Sequence, residues 1–206
     1  MATHRSHVSL SLVLGQNRQA ASDGDVARGL ISGQDWAIEQ TWQRFSPMVL
    51  STALRVLGSK SEAEDIAQDV FYRVWRSANT LREPDKLRSF VYSVAMRALV
   101  SELRCKRQQA WLHRNRLEPM GDLGCEMESR DLLRKFHALL ERLRPRESLV
   151  FVLKRLDAMT VEEIAIVMGI SESTVKRSLS RGSLRLAHWI NADPGLAGLF
   201  RKEEWG

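Results

Sequence analysis

The sequence predicts an all-α protein of two small helical domains joined by a flexible linker, and three observations carry that prediction. Apolar residues recur every three to four positions in two separate blocks, the spacing of helices with one buried face. The alternating pattern of strands is nearly absent. Between the blocks, Gln108 to Glu128 sets Pro119, Gly121 and Gly124 among polar residues with little periodicity, as a tether would. The divisions this gives are a mobile N-terminal extension (1–24), a first domain (25–107), a linker (108–130), a second domain (131–190) and a C-terminal tail (191–206).

The first domain holds eight of the fourteen aromatic residues, between Trp36 and Tyr92. Val26 to Ile31 reads as a short helix ended by Gly33, and Asp35 to Phe45 repeats apolar residues at Ile38, Trp42 and Phe45. Ser46 before Pro47 is the pattern of a helix cap followed by a proline at the first helical position, where a missing N–H costs nothing. It predicts a fresh helix to Leu57, stopped by Gly58. Ser61-Glu62-Ala63-Glu64 then has the form of a capping box for a helix with Ala63, Ile66, Ala67, Val70 and Val74 on its core face. After a loop from Ser77 to Pro84, Asp85 is the expected cap of a long helix striped by Leu87, Val91, Val94, Ala98 and Leu103. In the second domain Thr160 caps Val161 to Met168, Gly169-Ile170-Ser171 turns the chain, and Glu172 opens a helix to about Ile190. That is a helix-turn-helix, with Ile164, Met168, Ile170 and Val175 filling the angle. The tail carries Leu196, Leu199, Phe200 and Trp205, and either packs on the second domain or contacts a regulator, packing being the favoured of the two.

The chain has 206 residues, with 31 Lys and Arg against 25 Asp and Glu, a formal charge of +6. At 44% hydrophobic and 27% charged it has ordinary globular usage, which excludes wholesale disorder and fibrous repeats. No stretch approaches the roughly 18 consecutive apolar residues of a membrane helix, so no membrane insertion is expected, and Val8 to Leu14 is too short and too interrupted for a secretion signal. Cys105 and Cys125 form no disulfide framework, and a cytoplasmic location is the default. The cysteines and His4, His7, His113, His137 and His188 show no ligand spacing, so a metal or redox sensor is disfavoured and no cofactor is expected. Without a phosphate-binding loop, a dinucleotide fingerprint or a nucleophile elbow, nothing supports an enzyme.

Charge is distributed unevenly. At 100° per residue, Val175, Leu179, Gly182, Leu186 and Ile190 share the buried side of the last helix, while Ser173, Lys176, Arg177, Ser180 and Arg181 share the other. Short hydroxyls can meet base edges and long cations can meet bases or phosphates, which is what reading a major groove requires. Residues 172–190 carry a balance of +3, with Lys176, Arg177, Arg181 and Arg185 against Glu172. A second cluster, Arg97 to Arg116, carries +5, and Arg97, Ser101 and Arg104 share a helical face there. It is a candidate DNA surface or a set of cations drawn to a helix C-terminus by its dipole. Opposite the Ile66, Val70, Val74 stripe lie Asp65, Gln68 and Asp69, which repel DNA and suit a basic protein partner or plain solvent.

Ala63 to Phe71, followed by Trp75, resembles the segment with which bacterial sigma factors bind core RNA polymerase. Leu143 to Glu147 with the helix-turn-helix from Thr160 to Leu186 resembles their domain for the minus-35 promoter element, and the two-domain order is similar to the extracytoplasmic-function (ECF) group of the sigma-70 family. The resemblance implies a non-enzymatic initiation factor with core RNA polymerase (β′ and β subunits), promoter DNA and an anti-sigma factor as partners. It places Asp65, Gln68 and Asp69 on the polymerase, and Arg97, Ser101, Arg104, Lys106, Arg107 and the loop residue Asn79 on the minus-10 element. Ser173, Thr174, Lys176, Arg177, Ser180 and Arg181 fall on the minus-35 element. Along the minus-10 helix Phe90, Met96, Arg97, Ser101 and Cys105 depart from the usual family residues, so the promoter preference does not transfer. The competing reading is a free-standing helix-turn-helix regulator that binds duplex DNA without polymerase.

Overall fold

The computed structural model describes residues 21–112 and 127–193, together with Leu196. These residues form eight α-helices and no strand: α1 (Asp23–Ile31), α2 (Asp35–Leu57), α3 (Lys60–Arg76), α4 (Leu87–Leu112), α5 (Met127–Arg142), α6 (Pro145–Arg155), α7 (Val161–Met168) and α8 (Glu172–Ala192).

Several boundaries differ from those the sequence predicts. Helix α1 starts earlier, because Ser22 accepts from the Asp25 amide at 3.1 Å while the Asp25 carboxylate accepts from the Ser22 amide at 3.1 Å. Ala21 to Gly24 is therefore part of the folded first half rather than of the extension; residues 1–20 lie outside the described residues. Helix α2 does not break at Pro47. The proline removes a hydrogen bond to the carbonyl of Gln43, and both residues sit on the exposed side, where water can replace it. Phe45, Ser46 and Val49 are buried on either side of the proline, and this packing outweighs the local stop signal. Gly58 does end the helix, at φ 72°, a left-handed conformation that favours glycine. The cap of α3 is Ser59 rather than Ser61, with its hydroxyl toward the Glu62 amide. Between α3 and α4 the chain makes two short 3-10 turns, Ala78–Thr80 and Pro84–Lys86, so Asp85 lies in a turn and α4 begins at Leu87. Both ends of the expected linker are helical, α4 running to Leu112 and α5 starting at Met127; residues 113–126 lie outside the described residues.

Helices α1 to α4 pack around a core of Val49, Val56, Ile66, Val70, Val74, Leu87 and Val91. In the second half α6 is the central rod, with Ser148 to Leu153 all buried, and α8 crosses it. Two features fit α8 to α6. Gly182 lies against the Glu147 backbone, where an added Cβ would come to 3.5 Å. Arg185 pairs with the buried Glu147 at 2.8 Å, so one cation of the recognition helix faces its own domain. The helix-turn-helix follows the predicted geometry, with a Thr160–Glu163 capping box, Gly169 at φ 62° and Ser171 capping α8. Of the tail, Leu196 is buried at 1% exposure, in keeping with packing, and the remainder lies outside the described residues.

The two halves do not stand apart. Helix α4 touches α6 and α7, and α2 touches α5 and α6, so the buried apolar residues form one continuous cluster. The composition of α4 shows why. Val94 and Met96 are two residues apart, hence on nearly opposite sides of the helix, yet both are buried, at 4% and 2% exposure. A helix apolar on two sides needs two neighbours.

Candidate functional site

Three surfaces carry the residues singled out above. On α3, Asp65 and Gln68 are exposed and Asp69 is half-buried and paired with Arg73 at 2.8 Å. All three project from the side opposite the buried Ile66, Ala67, Val70 and Val74. Next to them lies a feature that periodicity alone misses. Trp42 reads as a core residue from its spacing with Ile38 and Phe45, but it is 41% exposed. Its ring meets Phe71 at 4.8 Å between centroids, and with Leu30, Ile38, Val74 and Trp75 the pair lines an apolar groove of about 260 Å³. Tyr72 and Trp75 are also exposed, their rings 6.3 Å apart edge to face, with the Arg76 guanidinium donating to the Tyr72 hydroxyl at 3.1 Å. The surface is therefore acidic at one end and aromatic at the other. Large exposed aromatics next to charge mark contact surfaces for other macromolecules; the sequence signal was a cluster of Trp, Phe and Tyr too rich for one small core.

On α4 the exposed line is narrow. Arg97, Ser101 and Arg104 are exposed along one side, continued toward the N-terminus by the half-buried Ser93 and Phe90. The exposed Asn79 sits in the 3-10 turn before α4. Lys106 and Arg107 both make contacts within the protein. The Lys106 ammonium meets the Glu62 carboxylate at 2.5 Å, and Arg107 donates to the Leu143 carbonyl at 3.4 Å. Charge counting cannot distinguish these two from the free cations.

On α8, Ser173, Lys176, Arg177, Ser180 and Arg181 are exposed on one side, with Val175, Ser178, Gly182 and Leu186 buried on the other. Thr174 is half-buried; its hydroxyl lies 2.8 Å from that of Ser171 and accepts from Arg177 at 3.4 Å. Lys176 makes a solvent-exposed pair with Glu172 at 3.5 Å, of a kind that contributes little and yields readily to a phosphate. At the front of the motif the Thr160 amide and hydroxyl hold the Glu163 carboxyl below its ordinary value, with Arg88 of α4 and Lys154 adding to the effect. Among the described residues no group of His, Cys, Asp and Glu has metal-binding geometry, and no helix is long and apolar enough to cross a membrane. Cys105 is exposed on α4; Cys125, His4, His7 and His113 lie outside the described residues.

An acidic and aromatic face on one helical half, a hydroxyl-and-cation face on a helix-turn-helix in the other, and a cationic stripe between them define a two-part helical DNA-binding protein with a protein-docking surface. Residues 41–109 match the family model for sigma-70 region 2, and residues 133–186 match the model for sigma-70 region 4. The chain is 35% identical over 133 residues to the ferric citrate uptake sigma factor FecI of Escherichia coli, a match covering 62% of this chain and 75% of that one. It is 21% identical to the ECF RNA polymerase sigma factor SigM of Mycobacterium tuberculosis, over 84% of this chain and 87% of that protein. In fold it is similar to CnrH in complex with the cytosolic domain of CnrY, with TM-score 0.59 and 23% identity over 84% of this chain and 99% of that one. It is also similar to the sigma factor RpoE in complex with the anti-sigma factor NepR from Bartonella quintana, with TM-score 0.56 and 17% identity over 75% of this chain and 97% of that one. The chain belongs to the sigma-70 family, in its ECF group.

Proposed function

We propose that this chain is the promoter-selecting subunit of RNA polymerase, with its three surfaces assigned to three partners. Asp65, Gln68 and Asp69 dock the β′ subunit, the neighbouring Trp42, Phe71 and Trp75 groove supplying apolar area to an otherwise polar contact. Arg97, Ser101, Arg104 and Asn79 address the minus-10 element, where cations neutralise the strand and Phe90 gives an unstacked base a face to lie on. Ser173, Lys176, Arg177, Ser180 and Arg181 read the minus-35 element in the major groove. Thr174, tied to Ser171, fixes the start of that helix, and Lys106 and Arg107 hold protein rather than DNA. The phosphodiester chemistry stays with the polymerase, and the site of action is the cytoplasm. Because similarly folded proteins are found bound to CnrY and to the anti-sigma factor NepR, an anti-sigma partner that covers these surfaces is part of the proposal.

The observation that carries this reading is the pairing of a region 2 match with a region 4 match in one chain, the first bearing an exposed acidic face. A free-standing regulator would use the helix-turn-helix and has no need of that face. Run-off transcription with purified core polymerase tests it: a promoter-specific transcript that requires this chain is expected, and it should weaken sharply in the Asp65→Ala, Gln68→Ala double variant. Tight footprints by the chain alone, with no transcript on any promoter occupied in cells, would overturn the reading.

A further inference from the structure

The groove on the first half is open to water and almost wholly apolar. Leu30 of α1, Ile38 and Trp42 of α2, and Phe71, Val74 and Trp75 of α3 line it, and the two indole-bearing residues stay 41% and 48% exposed. At about 260 Å³ it falls below the roughly 300–1,000 Å³ of small-molecule sites, which also need convergent polar groups. The other two lining residues are already engaged: the Thr41 hydroxyl donates to the Ala37 carbonyl at 2.7 Å, and Glu39 accepts from Gln43 at 3.0 Å. The groove therefore suits the apolar side chains of a peptide. Its border is acidic, because Asp65 and Gln68 run in the same helical row as Tyr72 and Trp75.

A segment of this chain meets both requirements. When extended, Val8-Ser9-Leu10-Ser11-Leu12-Val13-Leu14 puts Val8, Leu10, Leu12 and Leu14 along one edge about 20 Å long. The serines that spoil it as a secretion signal are what give it a single apolar edge. Residues 1–20 carry Arg5 and Arg18 and no Asp or Glu, opposite in charge to the Asp65 border. Reach is sufficient as well. Ala21 packs against the core, and its carbonyl accepts from the Arg44 guanidinium, which also pairs with Asp23 at 2.9 Å, so the segment departs from a fixed point beside α2. From there Leu30 lies about 14 Å away along α1, at 1.5 Å per residue. The six residues between Leu14 and Ala21 extend to about 20 Å.

We propose that Val8 to Leu14 seats in the Trp42, Phe71 and Trp75 groove of the same molecule and withholds it from other partners. The free chain is thereby its own competitor. Its N-terminal segment brings to this face the apolar edge and the positive charge that a basic protein partner would bring, and polymerase docking displaces it. The competition rests on the docking assignment proposed above, whereas the seating is a property of the free chain and is read without polymerase.

The test uses the full chain, isotope-labelled for nuclear magnetic resonance, with Cys105→Ser and Cys125→Ser and a nitroxide on Ser6→Cys. Relative to a diamagnetic label, the indole signals of Trp42 and Trp75 should lose intensity about two-fold or more beyond that of Trp189 on α8, since the seated state is the populated one. Leu10→Glu with Leu12→Glu should abolish that difference and raise the affinity for core polymerase about three-fold or more, because docking no longer waits on release. Leu10→Ser with Leu12→Ser should do both to a smaller degree. Adding no charge, it separates release from an attraction of new glutamates to a basic partner. Equal loss at all three indoles, or none, overturns the seating. Loss that appears when nitroxide and isotope are on different copies places the segment on a second molecule and also overturns it. Restored signals with unchanged core affinity overturn the competition. If the parent binds no core, the docking assignment fails and the indole signals still decide the seating.

Discussion

Helices α4 and α8 carry the two cationic faces proposed to meet DNA, and they present their charges in opposite ways. Helix α8 is amphipathic in the ordinary sense, with a buried side on α6 and α7 and a broad exposed side of Ser173, Lys176, Arg177, Ser180 and Arg181. Helix α4 is buried on two sides and leaves only the line through Arg97, Ser101 and Arg104 in solvent. A broad face can read a groove without any rearrangement. A narrow line between two packed neighbours gives DNA limited access until one neighbour leaves. The number of cations says nothing of this difference; burial does.

Eight variants and one titration would break or sharpen that contrast. The largest effects are expected from packing. Met96→Ala on α4 and Leu186→Ala on α8 should each cost about 2–5 kcal/mol in denaturant unfolding. Leu184→Ala, on the exposed side of α8 at 70% exposure, should stay within about 0.5 kcal/mol. A tolerated Met96→Ala would mean that α4 has only one buried side. Next, Arg185→Ala strands the buried Glu147 and should destabilise by about 2 kcal/mol, less than for a wholly buried pair because Arg185 is reached by water; Arg181→Ala, fully on the reading side, should leave stability unchanged. In DNA binding, Arg177→Ala should cost about 1–3 kcal/mol at one promoter position if it meets a base edge. Arg97→Ala should instead lower the salt slope by about one without changing sequence preference. Gly182→Ala should stabilise α8 by about 0.5–1 kcal/mol, since the new methyl meets Glu147 at ordinary contact distance.

The titration follows from α5. His137 has a buried Nδ1 with no hydrogen-bond partner, and burial first, then the Lys106 charge, hold its imidazole below the ordinary value of 6.5. The folded state therefore favours the neutral ring. Its contribution to stability is complete above pH 6.5 and is lost as the pH falls through the lowered value. Unfolding midpoints should drop on acidification through that window, and His137→Leu should flatten the drop.

The helical class, the order of the elements and the helix-turn-helix were legible in the sequence because periodicity, caps and glycines agree with the packing there. Pro47 shows where local rules lose: its signal is real, but the buried neighbours Phe45, Ser46 and Val49 carry the helix straight through. The site was half legible. Residue type and spacing place Asp65, Gln68, Arg177 and Arg181 on exposed faces, because those faces are set by a single helix. The protein contacts of Lys106, Arg107 and Arg185 were not legible, because their partners Glu62, Leu143 and Glu147 lie 44, 36 and 38 residues away in sequence. Trp42 was misjudged for the converse reason: its periodicity is that of a core residue, and only the third dimension shows that its ring lines an open groove.

The two-sided burial of α4 also bears on how long such a molecule lasts. A helix that walls two cores at once makes them one cooperative unit, so neither half can fray far while the other stays intact. The same economy concentrates risk. A protease that catches α4 during a rare opening and cuts it once removes an inner wall from both halves together, and with it the line of Arg97, Ser101 and Arg104. The lifetime of the idle protein is set by how seldom that one helix is uncovered.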